Sequence, residues 1–466
     1  MSEPSAPQAE GGASDSLFAK RRKIHPRFAS GRFARLRVLG VIVLLGLYYG
    51  IAWLQWEGHQ AILWDLPARK FYIFSWVFWP QDFIYLAVML IIAALSLFLF
   101  TALAGRVWCG YTCPQTVWTE VFLWLERQVE GDRHRRMQRD REPPSLRKFG
   151  IKAAKHALWL VFALFTGFTF VGYFTPIREL AVELSSSHLG GWELFWILFY
   201  SLATYGNAGW LREQVCFYMC PYARFQSAMF DADTLIVSYD GARGEPRGGR
   251  KRGTRGKDGA LGDCVACLQC VQVCPTGIDI RDGLQYECIG CAACVDVCDT
   301  VMARMGLPAG LIRYTTERRL GGEYGRILRP RVLLYAGVLV AITLALAWSL
   351  AMRVPLGFGV MRDRNQLFRE NAEGRIENVY SLQILNMDRR DHTYEIEVLG
   401  LTEPKLELEG GRPRVAGGAT ALLAARVHVD LDAIESRSMP IVFRIHAVDD
   451  AAISIEESSR FLGPAP

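Results

Sequence analysis

The sequence has few of the residues from which common catalytic centres are built. Its eight histidines are scattered, and none lies in the middle of a predicted membrane span, so a haem held by paired transmembrane histidines is not indicated. No convincing glycine-rich nucleotide loop is present, because the GGEYG of Gly321–Gly325 lacks a preceding strand and predicts only a turn. No Ser/His/Asp set and no paired-carboxylate arrangement can be recognised. The sequence therefore gives no indication of a haem site, a nucleotide site or a hydrolase-type active site.

Cysteine is absent from the last part of the chain. Residues 357–466 contain none, so this segment carries no disulfide. The chain has twelve cysteines, and eight of them fall within 35 residues. The distribution concentrates any thiol chemistry upstream of residue 357.

The eight clustered cysteines form two runs with the same spacing. Each run reads C-x₂-C-x₂-C-x₃-C, the bacterial ferredoxin pattern for two [4Fe–4S] clusters in which the fourth cysteine of each run ligates the other cluster. The predicted ligands of cluster 1 are Cys264, Cys267, Cys270 and Cys298, and those of cluster 2 are Cys274, Cys288, Cys291 and Cys294. Structural zinc is disfavoured because zinc modules do not exchange a fourth cysteine. Pro275 follows the first run, whereas Asp299 follows the second and departs from the pattern.

The composition is that of a membrane protein, with 51% hydrophobic residues, 13 Trp and 25 Phe. Five stretches are apolar for about 20 residues, the length that crosses a bilayer. They lie near Leu36–Trp56, Phe83–Ala104, Ala157–Thr175, Gly191–Gly209 and Val332–Met352. The first has full length and no small-residue cleavage site, so we expect it to stay as an anchor rather than be removed as a signal peptide.

Lys and Arg counts predict the orientation of these spans. Successive connections, taken as residues 1–35, 57–81, 105–155, 177–190 and 211–331, carry seven, two, eleven, one and seventeen basic residues. This alternation predicts a cytoplasmic N-terminus and an exported C-terminal segment in the bacterial inner membrane. All twelve cysteines then lie on the reducing, cytoplasmic side, where thiolates persist for metal ligation.

Composition and periodicity also predict how the chain divides into domains. The predicted organisation is a multi-domain membrane protein with an α-helical bundle, a cytoplasmic 2[4Fe–4S] ferredoxin module and an exported immunoglobulin-like β-sandwich. Its parts are a disordered basic leader (1–35), a four-span region (36–235), a basic Gly-rich linker (236–260), the ferredoxin module (261–331), a fifth span (332–352) and the sandwich (357–466). Val117–Val129 predicts an amphipathic helix, and Phe71–Pro80 an interfacial aromatic belt. The basic linker predicts a solvated tether or contact with anionic lipid, not nucleic-acid binding.

The other four cysteines form a second repeat. Cys109 and Cys113, and again Cys216 and Cys220, occur as C-x-Y-x-C-P, 107 residues apart, each just after a predicted span. If the segments are helical, this spacing puts both sulfurs on one face. Four thiols then converge at the inner membrane face. The alternatives are small buried packing residues, a third iron–sulfur cluster, and a soft-metal site for Cu(I) or a reversible disulfide.

Taken together, these motifs resemble one known family over nearly the whole chain. The W-C-G-Y-T-C-P-Q of Trp108–Gln115, the C-x-Y-M-C-P-Y of Cys216–Tyr222, the RGEPRG of Arg243–Gly248, the twin ferredoxin runs and the C-terminal sandwich occur together in this order. This combination resembles the FixG, or CcoG, accessory proteins of cbb3-type cytochrome c oxidase assembly. Membrane polyferredoxins of nitrate and nitrous-oxide reduction share part of it.

The resemblance implies a role in supplying copper to the oxidase, with reduction of Cu(II) to Cu(I) as the activity. Cys109, Cys113, Cys216 and Cys220 are then the candidate catalytic and copper-binding residues. The implied partners are membrane lipid, a copper transporter or chaperone, oxidase assembly factors and an electron donor that the sequence does not identify. Two rival interpretations are an electron-transfer subunit without copper chemistry and a structural assembly scaffold whose clusters only hold the fold.

Overall fold

The computed structural model of the protein describes residues 23–249, 261–363, 366–371 and 373–464. The predicted leader up to residue 22 and the 250–260 part of the predicted linker lie outside these ranges. The described residues belong to two compact units. The first unit comprises Met1–Leu66 and Leu90–Leu339, and the second comprises Pro67–Met89 and Val340–Pro466.

Helices make up most of the first unit. In the described residues the α-helices are α1 (Arg32–Trp53), α2 (Phe83–Ala104), α3 (Val107–Tyr111), α4 (Pro114–Glu130), α5 (Arg133–Arg141), α6 (Leu146–Val171), α7 (Ile177–Ser185), α8 (Gly191–Thr204), α9 (Pro221–Met229), α10 (Gly241–Gly244), α11 (Gln269–Val273), α12 (Ala293–Met305), α13 (Glu317–Leu320) and α14 (Pro330–Ala351). Two π-helical segments, Tyr205–Leu211 and Val215–Met219, lie between α8 and α9.

Four of these helices are long and apolar enough to cross a membrane. They are Arg32–Trp53, Pro80–Ala104, Leu146–Val171 and Pro330–Ala351. They match four of the five predicted spans, so the protein is a helical membrane protein, whereas the count of five is not confirmed. The remaining predicted span, Gly191–Gly209, is α8 continued by the π-helical segment Tyr205–Leu211. Its α-helical part has only 14 residues.

Seven short strands precede the sandwich in the described residues. They are β1 (Gln55–Trp56), β2 (His59–Gln60), β3 (Ile62–Asp65), β4 (Lys70–Ile73), β5 (Trp76–Phe78), β6 (Ile236–Tyr239) and β7 (Ile312–Thr315). The predicted aromatic belt forms an antiparallel hairpin, with Tyr72 opposite Val77. β6 pairs with β7 and flanks the cysteine-rich segment.

Three predicted boundaries differ from the structure. The leader was predicted to be disordered to residue 35, but α1 starts at Arg32 because Asp296 accepts hydrogen bonds from its first backbone amides. The linker was predicted from residue 236, yet Ile236–Tyr239 is a strand because its apolar side chains are buried in the cysteine-rich module. The third span begins at Leu146 rather than Ala157, since a polar turn capped by Ser145 precedes the apolar part.

The second unit contains the predicted immunoglobulin-like sandwich. Its strands are β8 (Leu356–Arg362), β9 (Arg369–Glu370), β10 (Ile376–Asn386), β11 (His392–Leu399), β12 (Lys405–Leu408), β13 (Arg414–Val415), β14 (Thr420–Val429), β15 (Ser438–Ala447) and β16 (Ser454–Leu462). One sheet has the order β12-β14-β10-β8 with β9 beside β10, and the other has the order β13-β11-β15-β16. All pairings are antiparallel, as in a sandwich of this class.

Alternation of side chains builds the core of the sandwich. In β10 and β15 every second residue is buried along most of the strand, because successive side chains of a strand point to opposite faces. Tyr380 and Phe443 are fully buried, and their rings contact each other edge to face at 5.0 Å between centroids. The alternating Val and Ile pattern of the sequence therefore identified three of these strands, β11, β14 and β15, to within a few residues.

Candidate functional site

The cysteine-rich module brings its eight thiols together in two groups. Cys298, in α12, interacts electrostatically with the thiols of Cys264, Cys267 and Cys270. These four line one cavity of about 380 Å³, including its open mouth, together with apolar side chains such as that of Met302. The grouping is that of predicted cluster 1, with the fourth cysteine taken from the second run.

The second group has the composition of predicted cluster 2. Burial raises the pKa of Cys294 well above its usual value, and so do the charges of Cys291, Cys288, Cys274 and, from the first group, Cys270. The same five cysteines line a cavity of about 360 Å³, including its open mouth. This grouping is compatible with the exchange of Cys274 and Cys298 between the two runs, which stays a prediction from the spacing.

The backbone around these cavities suits an anionic cluster. Ala266 and Leu268 in the first loop, and Gly290 and Ala292 in the second, have positive φ between 50° and 66°. Left-handed residues in such loops turn successive backbone N–H groups into a concave anion-binding surface, a geometry known from iron–sulfur sites. The residues present therefore fit [4Fe–4S] clusters.

Burial makes these thiols poor acids unless metal compensates the charge. Burial raises the pKa of Cys270 to about 11, and it raises the pKa of Cys298 and of Cys291 to about 12. A buried thiolate needs a nearby positive charge, which a bound metal supplies. Iron bound at these cavities supplies one-electron redox chemistry.

The two C-x-Y-x-C-P motifs have equivalent positions in the fold. Cys109 lies in α3, and Cys113 immediately precedes α4. Cys216 lies in the second π-helical segment, and Cys220 immediately precedes α9. In both motifs proline is the first residue of the following helix, a position where its missing N–H costs nothing. The prolines therefore start helices at both sites.

The structure also brings these four cysteines together. The Cys216 thiol interacts electrostatically with those of Cys109, Cys113 and Cys220. Burial raises the pKa of Cys109 to about 11 and that of Cys216 to about 12. Among the described residues, however, no three His, Cys, Asp or Glu side chains are arranged to hold a single metal ion. The four thiols are neighbours without being a preformed single-ion site.

Gln226, in α9, is a site residue that the sequence did not indicate. Its side chain is fully buried, and its amide nitrogen lies 3.4 Å from the sulfur of Cys109. It is six residues beyond Cys220 and belongs to no cysteine motif, so only the packing of α9 against α3 reveals it. An amide at this position donates a hydrogen bond to the sulfur and favours its charged form.

The first C-x-Y-x-C-P motif packs directly on the loop that carries Cys291. A Cβ atom placed on Gly110 would lie 2.8 Å from the Cα of Cys291, which is closer than real Cβ contacts. The hydroxyl of Tyr111 donates to the carbonyl oxygen of Cys291 at 3.4 Å. Tyr314 links the same two segments through Tyr111 and the Gly290 carbonyl. The two cysteine constellations are thus in backbone contact.

A shared cavity connects the second motif to the same loop. It has a volume of about 560 Å³, including its open mouth, and Cys216 and Cys291 both line it, together with Pro275 and Gln115. Cys291, a predicted ligand of cluster 2, and Cys216 of the second constellation therefore border one space.

A buried network of charges holds the helices around this site. Glu126 of α4 is fully buried and accepts from Arg212 at 2.8 Å and from Arg136 at 3.3 Å. Lys155 of α6 lies 3.1 Å from Glu130 and 4.0 Å from Glu126. Burial opposes ionisation of Glu126, but the surrounding cations outweigh it and lower its pKa. The network ties α4 and α6 to the segment that leads to Cys216.

Comparisons with known families agree with this organisation. A family described as a 4Fe-4S dicluster domain matches residues 211–317, and one described as a 4Fe-4S binding domain matches residues 86–130. A third, described as an IG-like fold at the C-terminus of FixG, matches residues 346–464. The second match covers Cys109 and Cys113.

Similar proteins cover most of the chain. The nitrogen fixation protein FixG of Rhizobium meliloti is 39% identical over 441 residues, which are 87% of this chain and 83% of that protein. Protein RdxB of Cereibacter sphaeroides is 41% identical over 409 residues, which are 85% of this chain and 86% of that protein. A crystal structure of a FixG-related protein from Vibrio parahaemolyticus is 30% identical over 23% of this chain and 95% of its own, with a TM-score of 0.22. The chain belongs to the FixG (CcoG-like) family of iron–sulfur proteins.

Proposed function

We propose that this protein reduces Cu(II) to Cu(I) at the four C-x-Y-x-C-P cysteines, with electrons from its ferredoxin module. The observation that carries the proposal is the backbone contact between Gly110 and Cys291. This contact puts the loop of one predicted cluster ligand against the segment between Cys109 and Cys113. Electrons held by the module have a short covalent and hydrogen-bonded route to those thiols.

The donor set suits copper as the substrate. Thiolates are soft ligands that favour Cu(I), so binding at the cysteines favours the reduced ion. Reduction of each Cu(II) consumes one electron from the module, and no bond to copper other than sulfur coordination is required. Gln226 hydrogen-bonds Cys109 and helps to hold its sulfur in place.

The proposed setting is oxidase assembly at the bacterial inner membrane. Membership of the FixG family and the alternating Lys and Arg counts support a cytoplasmic ferredoxin module and an exported sandwich. Cu(I) is then passed to a copper transporter or chaperone, and the sandwich docks on assembly factors of a cbb3-type oxidase.

A double variant tests the copper site. In Cys109→Ala/Cys216→Ala, we expect the iron content and visible spectrum of the module to be unchanged, and Cu(II)-dependent reoxidation of the dithionite-reduced protein to fall at least 100-fold. Cys267→Ala is the matched control, because it removes a thiol from the module and should change the iron content instead. Reoxidation at the native rate in the double variant would show that copper is reduced elsewhere.

A second candidate is electron transfer through a third cluster at the same four cysteines, without copper chemistry. The match of a 4Fe-4S binding domain to residues 86–130 favours it, since that region contains Cys109 and Cys113. Iron analysis of the double variant separates the two functions. Loss of one cluster's worth of iron supports the third cluster, and unchanged iron with stoichiometric copper binding to the native protein supports copper reduction.

A further inference from the structure

A large cavity lies where the beginning of α1 meets α4 and the loop of Cys291. Its volume is about 1520 Å³, including its open mouth. One part of the lining is apolar and the other is charged, and Cys291 and Pro275 border it from the ferredoxin module. The cavity thus touches a membrane-type helix and a predicted cluster ligand at the same time.

The apolar part of the cavity opens on the surface of α1 that is suited to lipid. Val38 and Ile42 line it and are 53% and 63% exposed, on a helix apolar enough to span a bilayer. Val41 and Trp124 complete this side. A ligand that enters here comes from the hydrocarbon phase, so it is lipophilic.

The arginines around the cavity are largely committed to protein partners. Arg136 pairs with Glu126, and Arg133 donates to the carbonyl oxygen of His25 at 2.8 Å. Arg127 stacks on the ring of Phe28 at 4.0 Å. These contacts hold three guanidinium groups in place at the charged end of the cavity.

Two polar side chains, those of Arg37 and Glu120, line the cavity together with Cys291. Arg37 donates to the carbonyl oxygen of Cys291 at 2.6 Å and lies 3.4 Å from a carboxylate oxygen of Glu120. The Glu120 side chain is 39% exposed and lines the cavity. A guanidinium and a carboxylate side by side provide a hydrogen-bond donor and a proton acceptor for a ligand with hydroxyl groups.

We propose that this cavity binds a quinol, which supplies the electrons of the ferredoxin module. A quinol is lipophilic, neutral and redox-active, and its hydroxyl groups match the Arg37–Glu120 pair. Its oxidation to the quinone releases two electrons and two protons. With a cluster held at each of its two cysteine sites, the module would take up one electron at each. Glu120 accepts one proton, passes it to water at the mouth of the cavity and then accepts the second.

This inference rests on the proposed function only in that the module carries electrons, and binding tests it independently of turnover. The probe is decylubiquinone, titrated calorimetrically into the full-length protein in nanodiscs of neutral lipid. We expect saturable binding that weakens at least 10-fold in Val41→Trp, because the larger ring fills the apolar end. Leu39→Trp is the matched control, since Leu39 lies on the same helix, is 56% exposed and does not line the cavity.

Equal affinities of the native protein, Val41→Trp and Leu39→Trp would overturn the site. Anionic phospholipid retained at the cavity and not displaced by decylubiquinone, as seen by native mass spectrometry, would overturn it as well. Glu120→Gln provides a second measurement. We expect its affinity for decylubiquinone to stay within about 2-fold and the reduction of the module by decylubiquinol to slow by on the order of 10²-fold, as is typical for loss of a general base. An unchanged rate would refute the role of Glu120.

The Cys109→Ala/Cys216→Ala variant separates this inference from the copper proposal. It should bind decylubiquinone with native affinity and still lose Cu(II) reduction. If the native protein reduces Cu(II) but does not bind quinone, the quinol proposal is refuted and the copper proposal is not. If the double variant binds quinone normally and still reduces Cu(II), the copper proposal is refuted and the quinol proposal is not.

Discussion

Gly110→Ala should separate electron transfer between the two cysteine constellations from cluster assembly. The added Cβ would lie 2.8 Å from the Cα and 2.9 Å from the backbone nitrogen of Cys291, and 2.8 Å from the carbonyl oxygen of Ile289. All three are backbone atoms, which cannot rotate away as the end of a side chain can. The two segments must separate by about 0.6 Å to reach ordinary contact. Overpacking of this kind typically costs about 1–3 kcal/mol.

The functional cost follows from the same displacement. Electron-transfer rates fall exponentially with the distance between donor and acceptor, and they are less sensitive to a small shift than bond-making steps, for which about 1 Å costs on the order of 10²-fold. We therefore expect Gly110→Ala to slow Cu(II)-dependent reoxidation of the reduced protein by about 2- to 10-fold. The assay is stopped-flow absorbance of the dithionite-reduced protein mixed with Cu(II), with iron content measured on the same samples.

A matched glycine variant controls for the substitution itself. Gly150 lies in α6 with nothing within 4 Å of an added Cβ, so Gly150→Ala should reoxidise at the native rate. Its stability should rise by up to about 1 kcal/mol, because alanine is the better helix former. Native kinetics in Gly110→Ala with full iron content would refute the view that the Gly110–Cys291 contact carries the electrons.

Two further predictions concern charge. Glu126→Gln should lower the free energy of unfolding by about 3–5 kcal/mol, because it leaves buried Arg212 and Arg136 without their carboxylate. Thermal denaturation measures this loss, and Glu142→Gln, at an exposed position, is the control and should change stability little. Equal effects of the two substitutions would contradict the buried network. In the sandwich, burial opposes the charged form of His392, but hydrogen bonds to Asp388 and Asp449 outweigh it and raise its pKa. The stabilisation from this histidine is therefore complete below about pH 6.5, its unfolded pKa, and is lost as pH rises through the higher folded pKa. His392→Gln should remove that part of the pH dependence of Tm, and an unchanged profile would show that the pairing does not stabilise the fold.

Local patterns predicted much of the fold. The strands β11, β14 and β15 lie within a few residues of the alternating segments at Tyr394–Val398, Leu422–Val429 and Ile441–Val448. The amphipathic helix predicted at Val117–Val129 is α4. These predictions succeed because side-chain periodicity is a property of consecutive residues. The start of α1 at Arg32 was missed, since its cap comes from Asp296, more than 260 residues away.

The sequence predicted which residue types make up the site, but it predicted only part of their spatial arrangement. The exchange of Cys274 and Cys298 between the two ferredoxin runs is a prediction from spacing. In the structure Cys298 shares a cavity with Cys264, Cys267 and Cys270, and Cys274 shares one with Cys270, Cys288, Cys291 and Cys294. The role of Gln226 and the contact of Gly110 with Cys291 could not be read from the sequence. Both depend on how α9, α3 and the ferredoxin loops pack against one another.

By itself the sequence determined the ligand types, the apolar helices and the sandwich strands, because each is encoded in residues close together in the chain. Only the tertiary structure decided that Cys109 and Cys216, 107 residues apart, meet beside Cys291. It also placed Glu126 among buried cations and opened a cavity between α1 and α4. These features arise from long-range packing, in which the partner of a residue is set by the path of the whole chain rather than by its neighbours.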